Sequence, residues 1–171
     1  MRPVYKVIVV GTDGSDTARV AVRQATALAS VTGAALHIVH AAPRHSPGVI
    51  AFAASGGVSE LAAADKIKEI GAESKRICED AAAEARALSV AVTIHTVPHE
   101  PADALIATAK EVGADLLVVG NRGMTGARRV LGSVPNTVSH HSPCSLLIVD
   151  TAAHDAAAAI AAGGGTPEHS S

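Results

Sequence analysis

The stretch "DLLVVGNRGMTGARRVLGSVPN", residues 115–136, joins a short apolar run to a segment rich in glycine and arginine. The run 116–119 is typical of a strand that is buried on both faces of a sheet, and Gly120 ends it. "GSVPN" (132–136) has the features of a helix start, because a small polar residue precedes the helical segment. The stretch therefore predicts a strand, a loop and a helix in that order, which is the repeating unit of a parallel α/β fold.

The same alternation extends through the chain. Strands are predicted at 6–11, 35–41, 90–97, 115–120 and 144–150, and helices at 15–33, 61–88, 101–113 and 134–141. Ser15 or Asp16 can cap the start of the first helix, and Gly33 can end it. Only a mostly parallel sheet with helices on both faces accommodates this order with right-handed crossovers. We therefore predict an α/β fold whose first, β-branched strand lies in the middle of the sheet.

Composition narrows the class of protein. The 171 residues fit one domain, which we place at 1–151, whereas the alanine- and glycine-rich tail at 152–171 is expected to be disordered. A net charge of −2 argues against nucleic acid as the main partner. The first apolar run is too short for a signal peptide or a membrane span, and Cys78 and Cys144 form no disulfide framework. We expect a cytoplasmic protein without a membrane partner.

The opening stretch also has the chemistry of a phosphate site. Its glycines allow a ligand to approach the backbone, and the helix start at 132–136 offers free N–H groups to an anion. Between Leu116 and Val149 the only formal charges belong to Arg122, Arg128 and Arg129. Taken singly, these features also suit a turn, a solvated helix face and a helix cap. Together they favour an anionic ligand.

Two segments carry a resemblance to a known family. "KVIVVGTDGSDTARVAVRQATALA" and "GADLLVVGNRGMTGARRVLGSVPNTVSHHSPCSLLIV" resemble the universal stress protein family, and the likeness spans residues 3–151. It implies a five-stranded parallel sheet of the Rossmann-like adenine nucleotide α-hydrolase type. It also implies ATP as a ligand, or cyclic AMP as in some bacterial members, and a homodimer joined through the last strands. In this chain the last strand comprises Ser145, Leu146, Leu147, Ile148 and Val149.

The family's glycine motif is present in a shortened form. The motif reads Gly-x-x-Gly, then nine residues, then Gly-Ser or Gly-Thr. Here Gly120 and Gly123 match the first pair and Gly132 with Ser133 the second, but eight residues separate the pairs. The missing residue shifts the arginines relative to the phosphates, so ATP and cyclic AMP both remain open.

The resemblance carries specific residues into a candidate nucleotide site. The positions that match are Thr12, Asp13, Ala41, Gly120, Asn121, Gly123, Gly132, Ser133 and Val134. Arg122 and Arg129 join them as positive charges. In the family, the residues that match Thr12 and Asp13 border the adenine, and Asp13 is a candidate for holding Mg²⁺ through water. Asp13 also suits an Asx-turn or a helix cap.

Three functions remain open from the sequence. The first is a stress-response regulatory protein that binds an adenine nucleotide, and the loop 43–57 is expected to close over its site. The second is a dimeric interaction module that no longer needs nucleotide. The third is a weak ATPase, although no arrangement of residues requires turnover. On the helix at 61–88, Ile67 and Cys78 lie on one apolar face that is predicted to be in the core. His40 and His95 are predicted as partly buried and hydrogen-bonded, and no histidine pair suggests zinc.

Overall fold

The predicted alternation of strands and helices is confirmed. The computed structural model describes residues 4–42, 60–121 and 131–151. Its elements in chain order are β1 (Val7–Gly11), α1 (Asp16–Thr32), β2 (Ala35–Ala41), α2 (Glu60–Ala87), β3 (Val92–Val97), α3 (Pro101–Val112), β4 (Leu116–Gly120), α4 (Ser133–His141) and β5 (Ser145–Val149). Most bounds agree with the sequence prediction to within a residue, and the start of β3 differs by two.

The sheet is parallel throughout and has the order β3-β2-β1-β4-β5. β1 is therefore the central strand, as its apolar sequence predicted. The chain builds outward from β1 to β3 and then returns to the other side of β1 to form β4 and β5. This reversal opens a crevice beyond the carboxyl ends of β1 and β4, where ligands bind in open α/β sheets.

Two apolar clusters cover the two faces of the sheet. Successive residues of a strand point to opposite faces, so Ile8 and Val10 pack in one cluster with α1 and α2, while Val9 packs in the other with α3 and α4. These three side chains are fully buried. Burial on both faces explains why the central strands are uninterrupted apolar runs rather than alternating ones.

Capping residues set the ends of α1, as the sequence predicted. The Ser15 hydroxyl accepts a hydrogen bond from the Ala18 amide at 3.2 Å and so caps the first turn. At the other end, Gly33 has a φ of 71° and its amide donates to the Ala29 carbonyl at 2.8 Å. Such a left-handed C-cap favours glycine.

One part of the predicted core is wrong. Ile67 was expected on the buried face of α2, but it is 49% exposed, whereas Ser74 on the same helix is buried. The helix has 28 residues, which corresponds to about 42 Å. The longest strand has seven residues, or about 23 Å. The helix is therefore longer than the strands of the sheet, which accounts for the exposure of Ile67 near its N-terminal end.

The helices were also compared with the requirements of a membrane span. Within residues 4–42, 60–121 and 131–151, none combines the length and the apolar character that such a span requires.

Candidate functional site

A cavity of about 300 Å³ lies at the carboxyl ends of β1 and β4, where the strand order reverses. Five separate segments of the chain form its walls, and they include residues of three helices, α1, α3 and α4. The lining residues are Gly11, Thr12, Asp13, Ser15, Thr17, Ala18, Val39, Ala41, Pro101, Leu105, Val119, Gly120, Gly132, Ser133, Val134 and Pro135. Seven residues that the sequence assigned to a nucleotide site are thus brought together: Thr12, Asp13, Ala41, Gly120, Gly132, Ser133 and Val134.

The loop between β1 and α1 is held in place by backbone hydrogen bonds. The Thr12 amide donates to the Val39 carbonyl at 2.9 Å, and the Thr12 hydroxyl accepts from the Gly14 amide at 3.2 Å. The ring nitrogen Nδ1 of His40 lies 2.9 Å from the Thr12 carbonyl oxygen. Gly14 has a φ of 79°, a conformation that favours glycine. The loop is therefore shaped before any ligand arrives.

Asp13 takes the turn-forming role that its sequence context allowed. Its Oδ1 accepts from the amide of Ser15 at 3.0 Å and also from the Ser15 hydroxyl. This is an Asx-turn, and the same Ser15 hydroxyl caps α1. Asp13 nevertheless lines the cavity. The described residues contain no cluster of three or more metal-ligating side chains, so a role for Asp13 toward Mg²⁺ stays a prediction.

The start of α4 faces the cavity with Gly132, Ser133, Val134 and Pro135. Gly132 is the N-cap, no described side chain caps the helix, and its first turn contains no acidic residue. Backbone N–H groups in the first turn of a helix have no intrahelical partner, and the helix dipole is positive there. This end of the cavity therefore suits an anion such as a phosphate.

A second group of lining residues is apolar. Val39 and Val119 are almost fully buried at the ends of β2 and β4, and Leu105 of α3 is 4% exposed. Ala41 adds a small side chain at the end of β2. A flat aromatic base fits such a wall because small and branched apolar side chains offer contact surface without hydrogen-bonding groups.

Asn121 follows β4, but its side chain is directed to the end of β5. Its Oδ1 accepts from the Thr151 amide at 3.1 Å and from the Thr151 hydroxyl at 2.7 Å, and its Nδ2 donates to Asp150 at 3.0 Å. Asn121 is not among the lining residues, and its place in the nucleotide site stays a prediction. A Cβ on the neighbouring Gly120 would lie 3.1 Å from the Thr151 methyl group, which is tight for any larger residue.

Several predicted features fall outside the described residues. They are Arg122, Gly123 and Arg129 of the glycine motif, the loop 43–57, and the tail 152–171. Their placement therefore stays a prediction.

All five strands of the sheet lie within the part of the chain that matches a known family model. Residues 4–150 match the model of the universal stress protein family. The chain belongs to the universal stress protein family. Universal stress protein Rv1636 of Mycobacterium tuberculosis is 37% identical over 151 residues, which cover 86% of this chain and 97% of that protein. Universal stress protein YxiE of Bacillus subtilis is 33% identical over 150 residues, which cover 85% and 99%.

Solved universal stress proteins share the fold. A crystal structure of a universal stress protein in complex with cAMP is 37% identical to this chain, with a TM-score of 0.64, and covers 86% of this chain and 98% of that one. UspA from Lactobacillus plantarum is 22% identical, with a TM-score of 0.67 and coverages of 85% and 97%. The predicted five-stranded, Rossmann-like fold is confirmed.

Sequence reasoning missed part of the cavity wall in this universal stress protein. Ser15, Thr17 and Ala18 belong to the first turn of α1 or its cap, and Pro101 and Leu105 to α3. A usable signal was present, because α1 and α3 begin beyond the carboxyl ends of the strands that precede them. Helix starts after β1 and β3 therefore belong to the same edge as the loops that the sequence singled out.

The predicted burial and hydrogen bonding of His40 and His95 are confirmed, and His95 has a partner that was not predicted. His40 is buried and His95 half-buried, and both are hydrogen-bonded. Nε2 of His95 lies 2.9 Å from Nδ1 of His37 on the neighbouring strand. The sequence did not indicate this pair, because the register of β2 against β3 cannot be read from either strand alone.

We expect the pair of His37 and His95 to make the free energy of unfolding depend on pH. Burial lowers the pKa of His37 below its ordinary value, and the charge of His95 lowers it further. The folded chain then binds fewer protons than the unfolded chain, so the free energy of unfolding falls as the pH drops below about 6.5 and stops falling below the lowered pKa. We expect His37→Gln to show a smaller drop in Tm than wild type from pH 7 to pH 5, measured by circular dichroism. The same pH dependence in both would contradict this, and His140→Gln on the exposed end of α4 is the control.

Cys78 should be chemically inert in the folded protein. Burial raises the pKa of its thiol to about 11, and its side chain is fully buried, with Sγ 3.7 Å from the His95 carbonyl oxygen of β3. At pH 8 only about one molecule in a thousand carries the reactive thiolate. We expect iodoacetamide to leave Cys78 unmodified in native protein and to modify it in urea, as read by peptide mass spectrometry. The half-buried Cys144 is the internal reference, and equal native labelling of both would contradict the expectation.

Proposed function

We propose that this universal stress protein binds an adenine nucleotide in the cavity and acts as a nucleotide-dependent regulatory protein of the stress response. One observation carries the proposal. Residues of the glycine motif, of the β1–α1 loop and of the end of β2 are far apart in the chain, yet they line one cavity of about 300 Å³. That volume is at the lower limit of small-molecule sites, about 300–1,000 Å³, and suits one compact ligand.

The proposed orientation follows from the polarity of the walls. The base would lie against Val39, Ala41 and Leu105, which offer apolar contact. The phosphate would lie at the start of α4, where Ser133 adds a hydroxyl to the free backbone N–H groups. Thr12 and Asp13 would border the base from the β1–α1 loop.

Cyclic AMP is the proposed first ligand to test, with ATP as the competitor. A relative with 37% identity over 86% of this chain was solved in complex with cAMP. The glycine motif of this chain is one residue shorter than the family's ATP-binding pattern, with eight residues between Gly123 and Gly132. A shorter loop leaves less backbone to surround a triphosphate. A single cyclic phosphate requires fewer contacts.

Isothermal titration tests the proposal. Wild-type protein is titrated with cyclic AMP, ATP and cyclic GMP, the last being a matched ligand that differs only in the base. The proposal predicts saturable binding of cyclic AMP that is at least about tenfold tighter than that of cyclic GMP, or about 1.4 kcal/mol. Absence of binding of any adenine nucleotide at millimolar concentration would overturn it.

A second candidate function rests on β5. Among the described strands, β5 lies at the edge of the sheet and pairs with β4 alone, so one row of its backbone groups has no partner strand in the described part of the chain. Leu146, Leu147 and Ile148 are half-buried along it. We propose a homodimer formed through this edge. If sedimentation shows a dimer that neither cyclic AMP nor blockage of the cavity changes, the nucleotide-independent interaction module becomes the better description.

A further inference from the structure

His40 lies directly behind the β1–α1 loop. It is the second-last residue of β2, is 9% exposed, and does not line the cavity. Its neighbours Val39 and Ala41 do line the cavity. Because successive side chains of a strand point to opposite faces, His40 is directed away from the ligand space. Any influence of His40 on a ligand must therefore act through another residue.

That residue is Thr12. Nδ1 of His40 lies 2.9 Å from the Thr12 carbonyl oxygen, and a carbonyl oxygen only accepts hydrogen bonds. Nδ1 therefore carries the hydrogen, which fixes the donor end of the ring. The Thr12 amide in turn donates to the Val39 carbonyl at 2.9 Å. Both polar backbone groups of Thr12 are thus held by β2, and Thr12 itself is only 7% exposed.

We propose that His40 is a positioning residue for nucleotide binding: it fixes the Thr12 carbonyl, and so sets the direction in which the segment from Thr12 to Gly14 enters the site. The inference rests on the proposed function. Without the His40 donor, the buried Thr12 carbonyl would have no described side-chain partner and would favour a rotated peptide that reaches another donor. Gly14 has a φ of 79°, which only glycine adopts readily. A rotated peptide at Thr12 would therefore change the turn at Asp13, which lies between Thr12 and Gly14.

Three substitutions separate the hydrogen bond from simple packing. His40→Asn keeps an N–H donor at the same distance from the backbone as Nδ1, His40→Gln moves the donor about one bond further out, and His40→Leu removes it while keeping a buried side chain. Affinity for cyclic AMP is measured by isothermal titration, and Tm is recorded for each variant. His37→Asn is the matched control, since it changes a histidine of the same strand that does not contact the loop.

We expect His40→Asn to stay within about threefold of the wild-type Kd and His40→Leu to weaken binding by at least about tenfold. If His40→Leu does not fold, the comparison of Asn with Gln decides, and Gln should be the weaker binder. Equal affinities of wild type, His40→Leu and His40→Gln for cyclic AMP would overturn this inference and would leave the proposed function standing. A wild-type protein that binds no adenine nucleotide would overturn the proposed function and this inference with it.

Discussion

Ala41→Trp should weaken the binding of cyclic AMP by at least about a hundredfold, equivalent to about 2.7 kcal/mol. Ala41 lines the apolar wall of a cavity of about 300 Å³. A tryptophan side chain has a surface of about 150–250 Å², so at this position it would occupy much of the space that the base needs. The effect is steric and needs no change in fold. Isothermal titration of the variant against wild type measures it.

The control places the same side chain outside the cavity. Ala107 is exposed on α3, the helix that also supplies Leu105 to the cavity wall, so Ala107→Trp adds an indole without filling the site. We expect Ala107→Trp to bind cyclic AMP within about twofold of wild type, because exposed surface substitutions are usually near neutral. A folded Ala41→Trp variant that binds as wild type does would place the ligand elsewhere.

Leu117→Ala should lower the free energy of unfolding by about 2–5 kcal/mol. Leu117 is the second residue of β4 and is 0% exposed, packed in the cluster that α3 and α4 cover. Its truncation removes apolar contacts and leaves a hole that strands fixed on both sides cannot close. The loss is measured by urea unfolding followed by circular dichroism.

The matched control is the same substitution at an exposed leucine. Leu88 follows α2 and is 54% exposed, so Leu88→Ala should change the free energy of unfolding by no more than about 0.5 kcal/mol. Equal losses for Leu117→Ala and Leu88→Ala would mean that the two-cluster core does not describe the protein. A larger loss of unfolding free energy for Leu117→Ala than for Leu88→Ala supports the two-cluster core.

Local sequence patterns were enough to predict the architecture. Strands buried on both faces have continuous apolar runs, which is why β1 was predicted at the centre of the sheet. Ser15 and Gly33 bound α1 because a hydroxyl N-cap and a left-handed glycine C-cap both act on backbone groups within a few residues. The site residues Thr12, Ala41 and Ser133 came from the resemblance to the family, and the structure places all three on one cavity.

The predictions that failed or were missing depend on tertiary geometry. Helical periodicity identified the inner face of α2 but not where the sheet ends, so the exposure of Ile67 was missed. The turn of the Asn121 side chain toward Thr151 depends on how far the chain continues beyond β5. The contact of His40 with the Thr12 carbonyl depends on the register between β1 and β2. Each of these features depends on two separate segments of the chain, so the pattern of one segment does not predict it.

A crystal of the protein soaked with cyclic AMP shows whether the cavity is the nucleotide site. We expect density for the nucleotide in the cavity, with the base against Val39 and Ala41 and the phosphate within hydrogen-bonding distance of the Ser133 backbone amide or hydroxyl. Density for the nucleotide at any other place, or an empty cavity at saturating cyclic AMP, would contradict it.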